Sequence, residues 1–437
     1  MFTLRRRTAL QASAALVGAP VLLSACGGGG GGGEDDGEDL EVWFPGVNPA
    51  EQTFVNEVLI PAYKEASGRG ATATFIDWPD ISTRLNAGFS SGTGPDVFGH
   101  GPAAVADLVS FGRVEPLDSY LEKMSEDDRA DLQIGLESGI IDGASYLFPI
   151  ASTGRQFGFN AAHFEEAGLD PDKPPTTYEA LRDAAEALTV RDGDQISRAG
   201  IVFGTQAAAM QQAFTSMLWA NGGEMFDEGL TRVTFNGPEG IEALEWYVSM
   251  YQGDSPVDSG LGGTWDGLPP AQSPLVSEDA SMIFADPSTF KQIADASPDL
   301  DLRFMDVLSF EGNDPAAFGG AATGLMINPD SAKKDAAWQF VSLFGGVDLG
   351  NQYAEDVGNV PTRKSAIESD YVRDNPAIAT TVENSANFRS NPNVPGWTKI
   401  RDSLASYLEQ ALNGQASPKE ALDGAAEEVA AILAENG

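Results

Sequence analysis

With one cysteine in 437 residues, the chain can form no internal disulfide and carries no Cys-x-x-Cys pair. Its two histidines, His100 and His163, cannot make a His-Glu-x-x-His zinc motif and leave few candidates for a catalytic base. Positive charge is scarce too. Only 26 lysines and arginines stand against 65 aspartates and glutamates, for a formal charge of -39, and a field of that sign repels phosphate backbones, which argues against a nucleic acid partner. No Gly-x-x-x-x-Gly-Lys-Ser/Thr loop is available to cradle a nucleotide. With these motifs missing, no metal and no cofactor is expected. The chain also has no clean membrane span: its most apolar stretch, Ala9 to Leu23, falls short of the roughly 20 residues a spanning helix needs and is interrupted at Gly18-Ala19-Pro20.

That stretch has a different use. Arg5, Arg6 and Arg7 precede it as a positive leader, so residues 1–25 read as an export signal; the consecutive arginines resemble a twin-arginine signal, with the Sec route equally open. The single cysteine closes Leu23-Ser24-Ala25-Cys26, which resembles the lipobox of bacterial lipoproteins, in which the cysteine receives a lipid and becomes the new N-terminus. A buried small hydrophobe is the other reading of a free cysteine. The surroundings oppose it, because Gly27 to Gly33 and Glu34-Asp35-Asp36 follow, a solvated tether with nothing to bury. Residues 26–39 are therefore expected to be a lipidated cysteine and tether that hold the protein at the outer face of the cytoplasmic membrane.

Beyond the tether the length exceeds what one hydrophobic core usually serves, so two lobes are expected. "LEVWFPG" from Leu40 reads as a strand into a turn, "PAEQTFVNEVLIPAYKEASGRG" as a helix stopped near Gly68, and "ATATFIDW" as an alternating strand. A helix through "DISTRLNAGFSSG" and the strand "PDVFGHG" come next. This alternation implies an α/β architecture. It also disposes of a formal match: Gly88-Phe89-Ser90-Ser91-Gly92 fits the Gly-x-Ser-x-Gly elbow of serine hydrolases, but the elbow needs strand, turn, helix, and here the order is helix, turn, strand.

Several segments, in order, resemble one family. "SSGTGPDVFGHG", "DGASYLFPIASTGRQFGFNAAHFEEAGLDPDKPPTTYEAL", "LWANGGEMFDEGLTRVTFNGPEGIEALEWYVSMY", "FGGAATGLMINPDSAKKDAAWQFVSLF" and "GNVPTRKSA" together resemble the extracellular solute-binding proteins of ABC importers, in particular the maltose-binding-like carbohydrate group. The resemblance implies a two-lobed periplasmic-binding-protein-like fold of type II, with lobe 1 formed by residues 40–150 plus about 306–357 and lobe 2 by about 151–305 plus 358–437. Hinge crossings are expected near Pro149–Gly154, Met305–Leu308 and Gly358–Arg363. It further implies a monomeric receptor, not an enzyme, that captures a mono- or oligosaccharide and delivers it to importer permease subunits. Two alternatives stay open: a glycoside-active hydrolase with paired carboxylates, and a receptor of the same fold for a polyol, a sugar phosphate or a polyamine.

A sugar cleft needs aromatic faces for C–H surfaces and planar polar groups for hydroxyls. Trp43 and Trp78 each follow a strand and could be stacking platforms or core. His100 ends the strand of "PDVFGHG", where loops carry function, and Arg155 follows the first crossing, as a donor fork or a surface ion pair. Gln211 and Gln212 resemble the family's segment before Ala-Asn-Gly-Gly, and could equally be a solvated helix face. Trp265 and Asp266 sit in the Gly/Pro-rich "GLGGTWDGLPPAQSP", where an aromatic is hard to explain as core. Asp286 and Ser288 in "MIFADPSTF" replace the apolar turn of many sugar binders, which favours a smaller or more polar ligand. Trp397, in "NPNVPGWTKI", resembles the late return to the cleft, with Arg401 one helical turn beyond, and replacing Trp265 or Trp397 by alanine is expected to weaken ligand binding while changing stability by no more than about 1 kcal/mol. Trp219, Trp246 and Trp338 are assigned to packing, and Asp96 to backbone support.

Overall fold

Leu40, Val42 and Phe44 alternate with Glu41 and Trp43 along the strand Leu40–Pro45, and this period of two sends the first three side chains into a core. The structure, a computed structural model, describes residues 37–132, 135–260, 263, 265 and 268–436; the export signal, Cys26, most of the tether and Asp266 lie outside the described residues. Leu40–Pro45 pairs in parallel with Ala71–Ile76 on one side and Val97–His100 on the other. The sheet continues antiparallel through the long strand Ala317–Ile327, which also pairs with Phe148–Gly154 and, at its start, with Phe388–Arg389. Aromatics from the flanking helices, among them Phe54, Tyr63, Phe340, Phe344 and Tyr353, fill the core behind it.

A second sheet of four strands lies along the order Val202–Phe203, Met282–Ala285, Gln156–Asn160, Leu302–Phe304. Its core gathers Phe157, Tyr178, Phe203, Phe214 and Tyr247 together with the last two helices, Trp397–Leu412 and Pro418–Asn436. Two sheets with separate cores give the α/β, two-lobed architecture. Trp219 and Trp338 are buried as packing residues, Trp246 packs while its Nε1 donates to the Tyr178 carbonyl, and the Asp96 carboxylate accepts from the Glu41 amide.

Arg155 alone separates Phe148–Gly154, in the first sheet, from Gln156–Asn160, in the second. The next passage falls later than the sequence suggests. Met305 and Leu308 are buried in the second core, and the chain reaches the first sheet only along Ala317–Ile327, with Phe318 still packed in the second core. The return passes the Val360–Ser152 bridge to Arg363, which is 2% exposed and grips the Gly345 carbonyl through Nε and Nη2. Where the strands cross, the Phe388 ring lies against Gly154 and Gly319, and a Cβ at either position would come 2.5 Å from it. The passage is tight because those two residues have no side chain.

The helix Trp78–Ser91 starts on the Asp77 cap and stops at Gly92, whose φ of 70° only glycine adopts readily. Ser90 is exposed on that helix, with no strand before it to make a nucleophile elbow. Among the described residues no helix is long and apolar enough to cross a membrane.

Candidate functional site

Arg155 is placed by the passage between the sheets, and two elements of the second sheet's lobe meet it there. Its Nε donates to Gln212 Oε1 at 2.7 Å from the helix Ala207–Ala220, and its Nη1 lies 3.8 Å from Asp286 Oδ2. Asp286 has a structural duty as well. It caps the helix Pro287–Ala296, accepting from the Thr289 amide at 2.9 Å and the Thr289 hydroxyl at 2.7 Å.

These residues form one wall of a cavity of about 390 Å³ between the sheets. Trp78, Pro102 and Ala103 face it from the first lobe; Ser390, Asn391, Trp397 and Arg401 close it from the late chain. Trp78 is 46% exposed, unusual for so large an apolar surface, and its ring stands edge-on to His100 with centroids 5.9 Å apart. Gly46, at φ 96°, lets that indole approach: a Cβ there would sit 3.1 Å from Trp78 Nε1. Two further cavities adjoin the first through shared residues. One of about 310 Å³ lies past Arg155 and Asp286 and reaches Gln206 and Trp265; one of about 540 Å³ lies past Trp78 and Arg401 and reaches His100, Asn86 and Lys399. Together they make a groove along the boundary between the lobes.

Of the residues singled out in the sequence, Trp78, Arg155, Gln212, Asp286, Trp397 and Arg401 meet on one cavity, while His100 and Trp265 line its two extensions. The others do not join them. Trp43 packs against the cluster of Ile76, Phe89 and Phe98, its ring over Gly88, because it lies on the strand face turned towards the helix Trp78–Ser91. Gln211 is fully buried one layer behind the wall, donating to Asn391 Oδ1 at 3.2 Å and Thr215 Oγ1 at 2.6 Å. Ser288 sits in the first turn of the Asp286-capped helix and borders none of the three cavities. Trp397 borders the cavity but is core, being 1% exposed. Sequence reading missed Ser390 and Asn391, although the Ser-Asn-Pro-Asn run just before Trp397 is a loop signal that could have drawn attention to them.

His100 is neutral in this setting. The Gly101 amide donates to Nδ1 at 2.9 Å, leaving Nε2–H to face Ser82 Oγ at 3.0 Å, and burial pushes the imidazole down to about 4 from its usual value near 6.5. Since the unfolded chain binds the proton more readily, this histidine makes stability rise with pH from about 4 to about 6.5. His100→Gln is therefore expected to flatten the pH dependence of urea unfolding between pH 6.5 and 4.5. An unchanged slope there would assign the acid sensitivity to other groups.

Residues 59–380 match the profile of the family described as bacterial extracellular solute-binding protein. A Brucella abortus protein described as a binding protein is 25% identical over 84% of this chain and 87% of its own. The cyclic alpha-maltosyl-1,6-maltose binding protein of Arthrobacter globiformis is similar in structure, with a TM-score of 0.78 at 24% identity over 91% of this chain and all of that one. The sugar-binding protein MalE of Xanthomonas citri has a TM-score of 0.80 at 16% identity over 91% of this chain and 98% of its own.

Proposed function

The chain belongs to the bacterial extracellular solute-binding proteins, and from that premise we propose that it captures a sugar or sugar-like solute in the cavity between Trp78 and Arg155 and delivers it to the permease subunits of an ABC importer. Members of this family are exported and bind solutes; the sugar, the importer, the monomeric state and the lipid on Cys26 are the parts proposed here. The lobes of this reading are residues 40–150 with about 319–357, and about 155–316 with the chain beyond 364.

One observation carries the reading: a single cavity takes Trp78 and Ala103 from one lobe and Gln212, Asp286 and Arg401 from the other. A solute that touches both lobes at once binds the closed arrangement better than the open one, so it shifts the population towards closure. A volume of about 390 Å³ suits a small solute. Trp78 supplies the flat apolar face and the guanidiniums supply donors. Asp286 is the one carboxylate among the described residues bordering that cavity, and its oxygens already serve Thr289, whereas glycoside hydrolysis needs two carboxylates across the scissile bond. This favours binding without turnover.

The test is a thermal-shift panel of sugars, polyols and polyamines on the mature chain, with product analysis of each hit. A solute that raises the midpoint and is recovered intact supports the proposal; turnover would replace it with the hydrolase reading. For such a solute, Trp78→Ala is expected to weaken binding by about 2 kcal/mol, roughly thirtyfold, as for a stacking anchor. Stability should stay within about 0.5 kcal/mol, since the ring is half exposed. Unchanged affinity in calorimetry would remove Trp78 from the site.

A further inference from the structure

Residues 388–397 are stitched to the two lobes in turn. Arg389 pairs with Glu224 at 2.7 Å and lies over the Trp219 ring, Asn391 accepts from Gln211, and Val394 and Trp397 are buried in the second core. The residues between them hold the first lobe. The Ser390 hydroxyl bonds that of Ser138, Asn393 Nδ2 donates to the Ser138 and Ile140 carbonyls at 3.1 and 3.0 Å, and the Gly396 amide donates to Asp107 Oδ1 at 2.8 Å. Leu136 and Ile141, on either side of Ser138 and Ile140, pack in the first lobe, as do Val105 and Leu108 on the Asp107 helix, Val105–Ser110.

The Asp107 contact is the strongest chemically. Gly396 opens the helix Trp397–Leu412, which has no side-chain cap at that position. A carboxylate from the other lobe brings negative charge to the positive end of that helix, and its bond to the amide is charge-assisted. Within its own lobe this carboxylate takes no hydrogen bond or ion pair among the described residues; its helix uses only the Asp107 backbone carbonyl. Place matters too. Ser390 borders the central cavity, whereas Gly396 and Asp107 border the extension beyond Trp78. The Asp107 pair is therefore further from the crossing at Phe388 and separates more when the lobes part. All of these bonds join protein groups, so closure gains them before any solute arrives.

We propose that Asp107 is a positioning residue for solute capture: with the strap of residues 389–396 it forms a latch that holds the free receptor largely closed. The latch sets the lobes relative to one another and does not recognise the solute. This goes beyond the solute-receptor reading, and it changes what a solute must do. A cleft already biased towards closure needs less differential affinity from its solute to complete it.

Small-angle scattering of the free mature chain tests the latch without any solute. Asp107→Ala is expected to cut the closed-to-open ratio about tenfold, seen as a larger radius of gyration. Asn393→Ala, at a residue that borders none of the three cavities, should move it the same way, and Asp107→Asn, which keeps an acceptor oxygen, should stay nearer wild type. Matching thermal midpoints and circular dichroism show that the variants are folded. A radius for Asp107→Ala and Asn393→Ala equal to that of wild type would overturn the proposal. Calorimetry with maltose, trehalose and cellobiose adds a second reading. Each sugar that binds should lose affinity to Asp107→Ala by one common factor, because all draw on the same closed fraction. Loss for one sugar alone would make Asp107 a ligand contact and overturn the latch. Failure of all sugars to bind would count against the sugar-receptor reading, while the scattering result still decides the latch.

Discussion

Alanine at position 397 is expected to lower the unfolding free energy by about 3–5 kcal/mol, the cost of emptying a buried tryptophan site. Trp397 opens the helix Trp397–Leu412 and is 1% exposed, in one cluster with Val394, Ile400, Leu404 and Leu408. That cluster ties the late chain to the second sheet's core. The cavity left by alanine could not collapse easily, since the helix it opens is packed against both Ala207–Ala220 and Pro418–Asn436. Urea titrations of wild type and Trp397→Ala, read by far-UV circular dichroism, measure the difference. Trp397→Phe should recover most of the loss. A change below about 1 kcal/mol would match the non-core cleft role that the sequence resemblance implies.

Arg363→Met is expected to cost about 3 kcal/mol. The guanidinium is 2% exposed and serves several partners: the Gly345 carbonyl, Asp128 at 2.5 Å and Asp131 at 3.3 Å. Losing one partner of a buried ion pair costs about 3–5 kcal/mol; the lower end applies because Asp128 is 40% exposed and can turn to water. Burial alone would raise the Asp131 carboxyl, but hydrogen bonds from Ser365 and Arg363 outweigh it and hold the group below its usual value. A carboxyl depressed in the folded state contributes stability above its unfolded value of about 3.9 and loses it as pH falls further. The penalty of Arg363→Met should therefore be largest near neutrality and shrink below about pH 4. A penalty that does not vary with pH would mean that packing at Gly345, and not the ion pairs, is what the residue supplies.

How far sequence reading reached depended on what each side chain needed. The strands and helices up to His100 follow local signals: alternation in Leu40–Pro45, the Asp77 cap, and glycine stops at Gly68 and Gly92. Arg155 was legible because it sits on the passage itself. Trp43 was not, since a strand residue faces core or cleft according to which side its sheet is covered, and that is a tertiary fact. For Trp397 the resemblance gave a place beside the cleft but not its burial, which comes from the packing of its helix, with Ile400, Leu404 and Leu408, into the second core. Asp286 and Thr289 have the spacing of a helix cap, which explains much of the "ADPST" segment without a ligand. Asn391 owes its orientation to Gln211, 180 residues earlier in the chain. No local pattern could connect them.

The central claim is that one solute is held by both lobes at once. Hydrogen–deuterium exchange of the mature chain, with and without a solute that raises its thermal midpoint, tests it directly. The account predicts slowed exchange on both sides of the cavity together, at Gly101–Ala103 in one lobe and around Gln212, Asp286 and Asn391 in the other. Protection confined to one lobe, with the other exchanging as in the free protein, would contradict it.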